Sequence, residues 1–203
     1  MTIPYRAMIL NEEMKARAVA VLETGISYGG EETQRFEVEL AGRCGAAYGV
    51  TANSGTSSLL LLLDALGIGP GHEVIMAANS YVGVLAAVIK IGAVPVFVDA
   101  DPLTANILPA AIGPAVTPRT RAVIPTHMYG FPCDMDPVLE VAERHGVRVI
   151  EDAAHALGAA HKGRPVGNLG LAGFFSFSGK MITVFGPGGA AVTDDRQLAE
   201  DVA

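Results

Sequence analysis

Val147-Arg148-Val149-Ile150-Glu151-Asp152-Ala153-Ala154-His155 joins a β-branched run to two acids and a histidine. Val147 to Ile150 reads as a buried strand, because β-branched side chains suit a pleated surface packed on both faces. In open α/β sheets, ligands bind just outside the carboxyl ends of the strands. Asp152 therefore stands where a ligand would meet it. Taken by itself, an aspartate here also reads as the cap of a following helix.

Working outward, strand-like runs recur at Tyr48 to Ala52, Glu73 to Ala77, Val94 to Val98 and Arg121 to Pro125. Phe174 to Phe177 and Ala190 to Thr193 read as the last strands. Helical stretches lie between them, at Thr56 to Leu66, Val82 to Ile91, Leu108 to Val116 and Met135 to His145. Asn11 to Glu23 and Glu32 to Ala46 read as two leading helices, parted by Gly25 to Gly30, and Asp194 to Ala203 as the start of another. Alternating βα units with continuously apolar strands predict an α/β fold of three layers, α/β/α, around a mostly parallel sheet. Residues 1–30 are expected to form an N-terminal helical arm, and 31–203 one large domain.

A chain of 203 residues can bury a full core, and with 50% hydrophobic and 17% charged residues it is not disordered. The net charge of −7 argues against nucleic acid or an anionic membrane as a partner. Cys44 and Cys133 are too few for a disulfide framework and lack metal-type spacing. The apolar stretch Tyr81 to Val98 is punctuated by Lys90, Gly92 and Pro95, so it reads as a helix and a strand, not a membrane span. Met1 to Leu10 has too short an apolar run for a signal peptide, and a soluble cytoplasmic protein is expected.

The chemistry points to Gly173-Phe174-Phe175-Ser176-Phe177-Ser178-Gly179-Lys180. Of the four lysines, Lys15, Lys90 and Lys162 read as solvated, which leaves Lys180 at the end of a partly apolar segment. Desolvation disfavours a charged ammonium, and a neutral amine can form a Schiff base with an aldehyde cofactor. Asp152 lies 28 residues earlier. A carboxylate opposite a pyridine nitrogen keeps that nitrogen protonated, as pyridoxal phosphate requires. Asn53-Ser54-Gly55-Thr56 turns a strand into a helix, and free N–H groups at a helix start bind anions. The dipole adds only about 0.3–1 kcal/mol, so the Ser54 and Thr56 hydroxyls would have to contribute. Tyr81 could stack on a ring or simply pack at the edge of the core.

In order and spacing, these landmarks resemble the DegT/DnrJ/EryC1/StrS family of fold-type I, pyridoxal-phosphate-dependent sugar aminotransferases. The resemblance runs from about Gly29 to Thr193. It also includes Phe36-Glu37-Val38-Glu39-Leu40-Ala41, Pro95-Val96-Phe97-Val98-Asp99, Thr117-Pro118-Arg119-Thr120-Arg121-Ala122 and His127-Met128-Tyr129-Gly130. It implies Lys180 as the Schiff-base lysine and proton shuttle, Asp152 at the pyridine nitrogen and Tyr81 on the ring. It further implies Gly55, Thr56 and Ser176, beside Ser54, at the phosphate, and His155 near the phenolic oxygen. The family usually leaves one more residue before the lysine than Ser176 does, so Ser178 is the alternative phosphate ligand. The implied substrates are a keto-sugar, nucleotide-linked, or a keto-cyclitol, with glutamate or glutamine as donor, in a homodimer. Family members continue into a C-terminal domain, which this reading places beyond Ala203. Two alternatives remain: a cofactor-binding fragment without catalysis, and a sugar dehydratase, which carries histidine in place of the lysine.

Of the remaining residues, His127 reads as lining a site or as a satisfied core histidine. His161 and Lys162 read as a solvated turn, and Gly186 to Gly189 as a tight turn near a ligand.

Overall fold

A computed structural model describes residues 10–26, 29–178 and 187–203. Lys180 and the Gly186 end of the glycine-rich turn lie outside the described residues. The strands are β1 (Tyr48–Ala52), β2 (Glu73–Ala77), β3 (Val94–Val98), β4 (Thr120–Ile124), β5 (Arg148–Asp152), β6 (Ala160–His161), β7 (Arg164–Pro165), β8 (Ala172–Ser176) and β9 (Gly189–Thr193). The helices are α1 (Glu12–Glu23), α2 (Glu31–Cys44), α3 (Gly55–Ala65), α4 (Val82–Lys90), α5 (Pro109–Ala115), α6 (Met135–His145) and α7 (Arg196–Val202).

Seven strands form one sheet in the order β1-β9-β8-β5-β4-β2-β3. The pairs β2–β3, β2–β4, β4–β5 and β5–β8 are parallel, and β9 runs antiparallel between β1 and β8. The carboxyl ends of β2, β4, β5 and β8 consequently open on one edge of the sheet, where side chains from distant sequence positions can meet.

Strand side chains alternate between two packed faces, which is why the strands read as continuously apolar. Val74, Met76, Ile124, Ile150 and Phe174 pack under Leu59, Leu62 and Leu63 of α3, Val84 and Val88 of α4, and Leu198 of α7. Ile75, Val123 and Val149 face Ile112 of α5 and Met135 and Val138 of α6. Phe175, Ala190 and Val192 face Leu40 and Cys44 of α2. Each fully buried leucine of α3 contributes about 1.5–3 kcal/mol of transfer free energy. α1, by contrast, carries no buried residue.

Element ends shift by one or two residues from the sequence reading, and three departures bear on the site or the packing. β5 extends through Glu151 and Asp152, because each acid finds hydrogen-bond donors on its own side of the sheet. No helix begins at Asp152, so it caps none; its carboxylate instead accepts the Ala154 N–H two residues on. The β6–β7 hairpin replaces the expected solvated turn. Lys162 and Gly163 take positive φ of 49° and 80° at its tip, the geometry that suits a twisted two-residue hairpin. His161 is buried there. Its Nε2 comes within 3.4 Å of Asp136 and 3.7 Å of Asp134 at the start of α6. Lys162 Nζ, 2.5 Å from Asp136, and Arg164, 3.4 Å away, already neutralise that carboxylate. The group is an ion-pair fastening between hairpin and helix.

Candidate active site

A cavity of roughly 380 Å³ lies at the carboxyl edge of the sheet. Its walls bring together Ser54, Gly55, Thr56, Tyr81, Asp152, His155 and Ser176, every described residue the sequence singled out for the site. Ser178, the alternative to Ser176, lines it too. Lys180 follows two residues later in the chain.

Asp152 forms the polar floor. It is 3% exposed, and burial pushes its carboxyl pKa above the ordinary range. Two donors oppose that shift: the Ala154 N–H at 3.1 Å from Oδ1 and the Thr126 hydroxyl at 3.2 Å from Oδ2. An ionised carboxylate offers about four acceptor positions, so roughly two remain on the cavity side. A cation facing Asp152 would restore its charge.

The start of α3 lines the same cavity. The Ser54 hydroxyl acts as N-cap, accepting the Ser57 N–H at 3.1 Å, so it is engaged locally. The N–H groups of Gly55 and Thr56 have no acceptor among the described residues. Glycines let this helix start sit hard against the strand ends. A Cβ on Gly55 would lie 2.9 Å from Ser176 Cβ, and one on Gly189 would lie 2.4 Å from Gly55 N. N–H groups of this kind at a helix N-terminus, with Ser176 and Ser178 lining the same cavity, are the sort that suit an anion.

Tyr81 is the N-cap residue of α4 and is 57% exposed. A Cβ on Gly83 would lie 2.7 Å from both the Tyr81 ring and Thr56 Oγ1, so that glycine lets ring and hydroxyl share one wall. His155 accepts the Tyr129 N–H on Nδ1 at 3.3 Å and lies near-parallel to the Tyr129 ring, 6.3 Å between centroids. A neutral His155 therefore carries its proton on Nε2.

His127 is the satisfied core histidine of the two readings. It is fully buried and outside the cavity. Its Nδ1 accepts the Cys133 N–H at 3.0 Å, so Nε2 donates to Glu151 at 2.9 Å. Glu151 also accepts N–H groups of Gly167, Leu169 and Gly170 at 2.8, 2.5 and 2.9 Å. Thr126 and Met128 were missed as cavity residues. Thr126 could have been found, since it stands just past the end of β4, beside β5 in the sheet.

A mostly parallel α/β sheet, with a buried acid and a helix start lining one cavity at its carboxyl edge, has the α/β architecture of the fold-type I class. The chain belongs to the DegT/DnrJ/EryC1/StrS aminotransferase family, whose model matches residues 8–203. It is 47% identical over 87% of its length to GDP-perosamine synthase of Caulobacter vibrioides, covering 47% of that protein. It is 46% identical over 85% of its length to L-glutamine:scyllo-inosose aminotransferase of Streptomyces griseus, covering 41% of it. The crystal structure of NtdA from Bacillus subtilis with bound cofactor PMP matches 96% of this chain and 45% of its own, at TM-score 0.87 and 35% identity. The chain thus spans about half the length of the relatives it matches. No helix among the described residues is long and apolar enough to cross a membrane.

Proposed function

We propose that this chain is the cofactor-binding portion of a pyridoxal-phosphate-dependent aminotransferase. Its acceptor is a keto-sugar, nucleotide-linked, or a keto-cyclitol, and its donor is glutamate or glutamine. The observation that carries the reading is Asp152: a buried carboxylate with two donors among the described residues, lining one cavity with a helix start whose first N–H groups have no acceptor among those residues. The family match and relatives named for a sugar and a cyclitol reaction support it.

The residues present fit the group. The Gly55 and Thr56 N–H groups, with Ser176 or Ser178, would take the phosphate; Asp152 would face the ring nitrogen and hold its proton. Ionisation of Asp152, disfavoured by burial, becomes favourable once a positive charge lies opposite. Tyr81 would cover one ring face, and His155 Nε2–H would donate to the phenolic oxygen. Pyridoxal phosphate supplies an aldehyde that condenses with amines and a ring that accepts the electron pair released at carbon. Lys180 would supply the amine, taking and returning the proton at Nζ. A second copy of the chain, in a homodimer, would complete the enclosure; the exposed Tyr81, Val82 and Tyr129 are consistent with one.

Borohydride reduction after incubation with pyridoxal phosphate, followed by peptide mass spectrometry, tests this reading. The expected result is one adduct, on Lys180. An adduct on Lys15, Lys90 or Lys162 instead, or none at all, overturns it.

A further inference from the structure

Besides Lys162 in the β6–β7 hairpin, two non-glycine residues among those described, Ala105 and Tyr129, adopt left-handed backbone geometry at φ 59° and 55°, in two separate loops. Such conformations are disfavoured for residues with a Cβ and persist where surrounding contacts hold them, commonly near functional sites. A buried side chain, that of Asn106, links the two loops. Asn106 is 4% exposed; its Oδ1 accepts the Met128 N–H at 2.9 Å, and its Nδ2 donates to the Phe131 carbonyl at 3.0 Å. Only one amide orientation satisfies both partners, so the contact is directional. The Asn106 loop is itself fixed: Asp101 Oδ1 accepts N–H groups of Leu103 and Thr104, and Asn79 donates to the Ala105 carbonyl at 2.9 Å.

The turn that Asn106 spans holds Tyr129, whose N–H reaches His155 Nδ1. Gly130, at φ 83°, packs beneath His155, where a Cβ would lie 3.0 Å from the His155 carbonyl oxygen. Asn106 does not line the cavity; His155 and Met128 do. We propose that Asn106 is a positioning residue for the site: by clamping residues 128–131 it holds the Tyr129 N–H on His155 Nδ1 and fixes the ring with its proton on Nε2, as a donor to the cavity. This rests on the cofactor reading for its consequence, though not for its geometry.

Without the clamp, the turn is free to leave its left-handed conformation, and His155 loses the donor that selects its tautomer. The test is 15N NMR of the cofactor-free protein at a pH where His155 is neutral, beside binding of pyridoxamine phosphate. The wild-type ring is expected to show an unprotonated Nδ1 and a protonated Nε2. Asn106→Ala should give a mixture of tautomers and weaken pyridoxamine phosphate binding by about three- to tenfold, the loss of one neutral hydrogen bond. Tyr129→Gly keeps the N–H and favours positive φ, so its tautomer should stay as in the wild type. If Asn106→Ala does not fold, Asn106→Asp, which keeps the Met128 acceptor but loses the Phe131 donor, and Gly130→Ala are read in its place. An unchanged His155 tautomer in the folded variants overturns the proposal. Wild-type protein that binds no pyridoxamine phosphate counts against the cofactor reading, while the tautomer still decides the role of Asn106.

Discussion

Glu151 and Asp152 are adjacent on β5, both buried, and they point to opposite faces of the sheet. Beneath, Glu151 takes four donors, three from the backbone of residues 167–170 and one from His127, which fills its acceptor capacity. Above, Asp152 takes two among the described residues and keeps its remaining capacity for the cavity. A buried charge that is fully hydrogen-bonded is an anchor; one left partly unpaired is costly unless something else arrives. The same residue chemistry, one position apart, thus serves the scaffold on one face and a ligand on the other.

The largest test of that contrast is Glu151→Ala. It strands the His127 Nε2–H and three backbone N–H groups, and should destabilise the fold by roughly 3–5 kcal/mol in urea titration. Little change in the midpoint would erase the distinction between the two acids. Asp152→Asn should behave oppositely. Stability should hold or rise, while pyridoxal phosphate binding weakens by about thirtyfold or more, the scale of removing one partner of a buried charge pair at roughly 2 kcal/mol. Retained affinity would mean that Asp152 faces no cation.

The pH dependence follows with a definite sign. The folded pKa of Asp152 lies above its ordinary 3.8, so the cofactor-free folded state binds more protons than the unfolded one in that window. Its contribution therefore makes stability fall as pH rises from about the ordinary value through the raised one. Asp152→Asn should remove that slope in stability measured across acidic pH. Glu73 acts in reverse: the Thr117 hydroxyl, 2.5 Å away, and Arg119 lower its pKa, so its contribution is lost as pH falls through the folded value. The smallest effect belongs to Thr126→Val. It removes one donor, should cost about 0.5–1.5 kcal/mol, and should move the Asp152 titration further upward in carboxyl 13C NMR.

Much of this was legible along the chain. Continuous apolar runs gave the strands to within a few residues because both faces of the sheet are covered. The Ser54-Gly55-Thr56 turn announced α3 because a hydroxyl cap before an apolar helix is a local signal. Other features had no local signal. Ending β5 at Ile150 missed two carboxylates in the strand, since apolarity marks burial only where no donors wait inside. The β6–β7 hairpin, two residues per strand, is too short for any periodicity, and its buried His161 lies beside Asp134 and Asp136, which are more than twenty residues away in sequence. Asn106, in a polar loop, gives no hint of its hold on a turn more than twenty residues away.

By its own order of residues, the chain determined an alternating α/β architecture, the helix start with its spare N–H groups, and an acid at a strand end. Those depend on neighbours a few positions apart, where backbone geometry and side-chain periodicity act directly. Only the folded sheet decided that β5 lies between β4 and β8, that Asp152 lines one cavity with the start of α3, and that Glu151 is spent beneath it. Strand order and donor counts arise from pairings between distant segments, which local sequence does not encode.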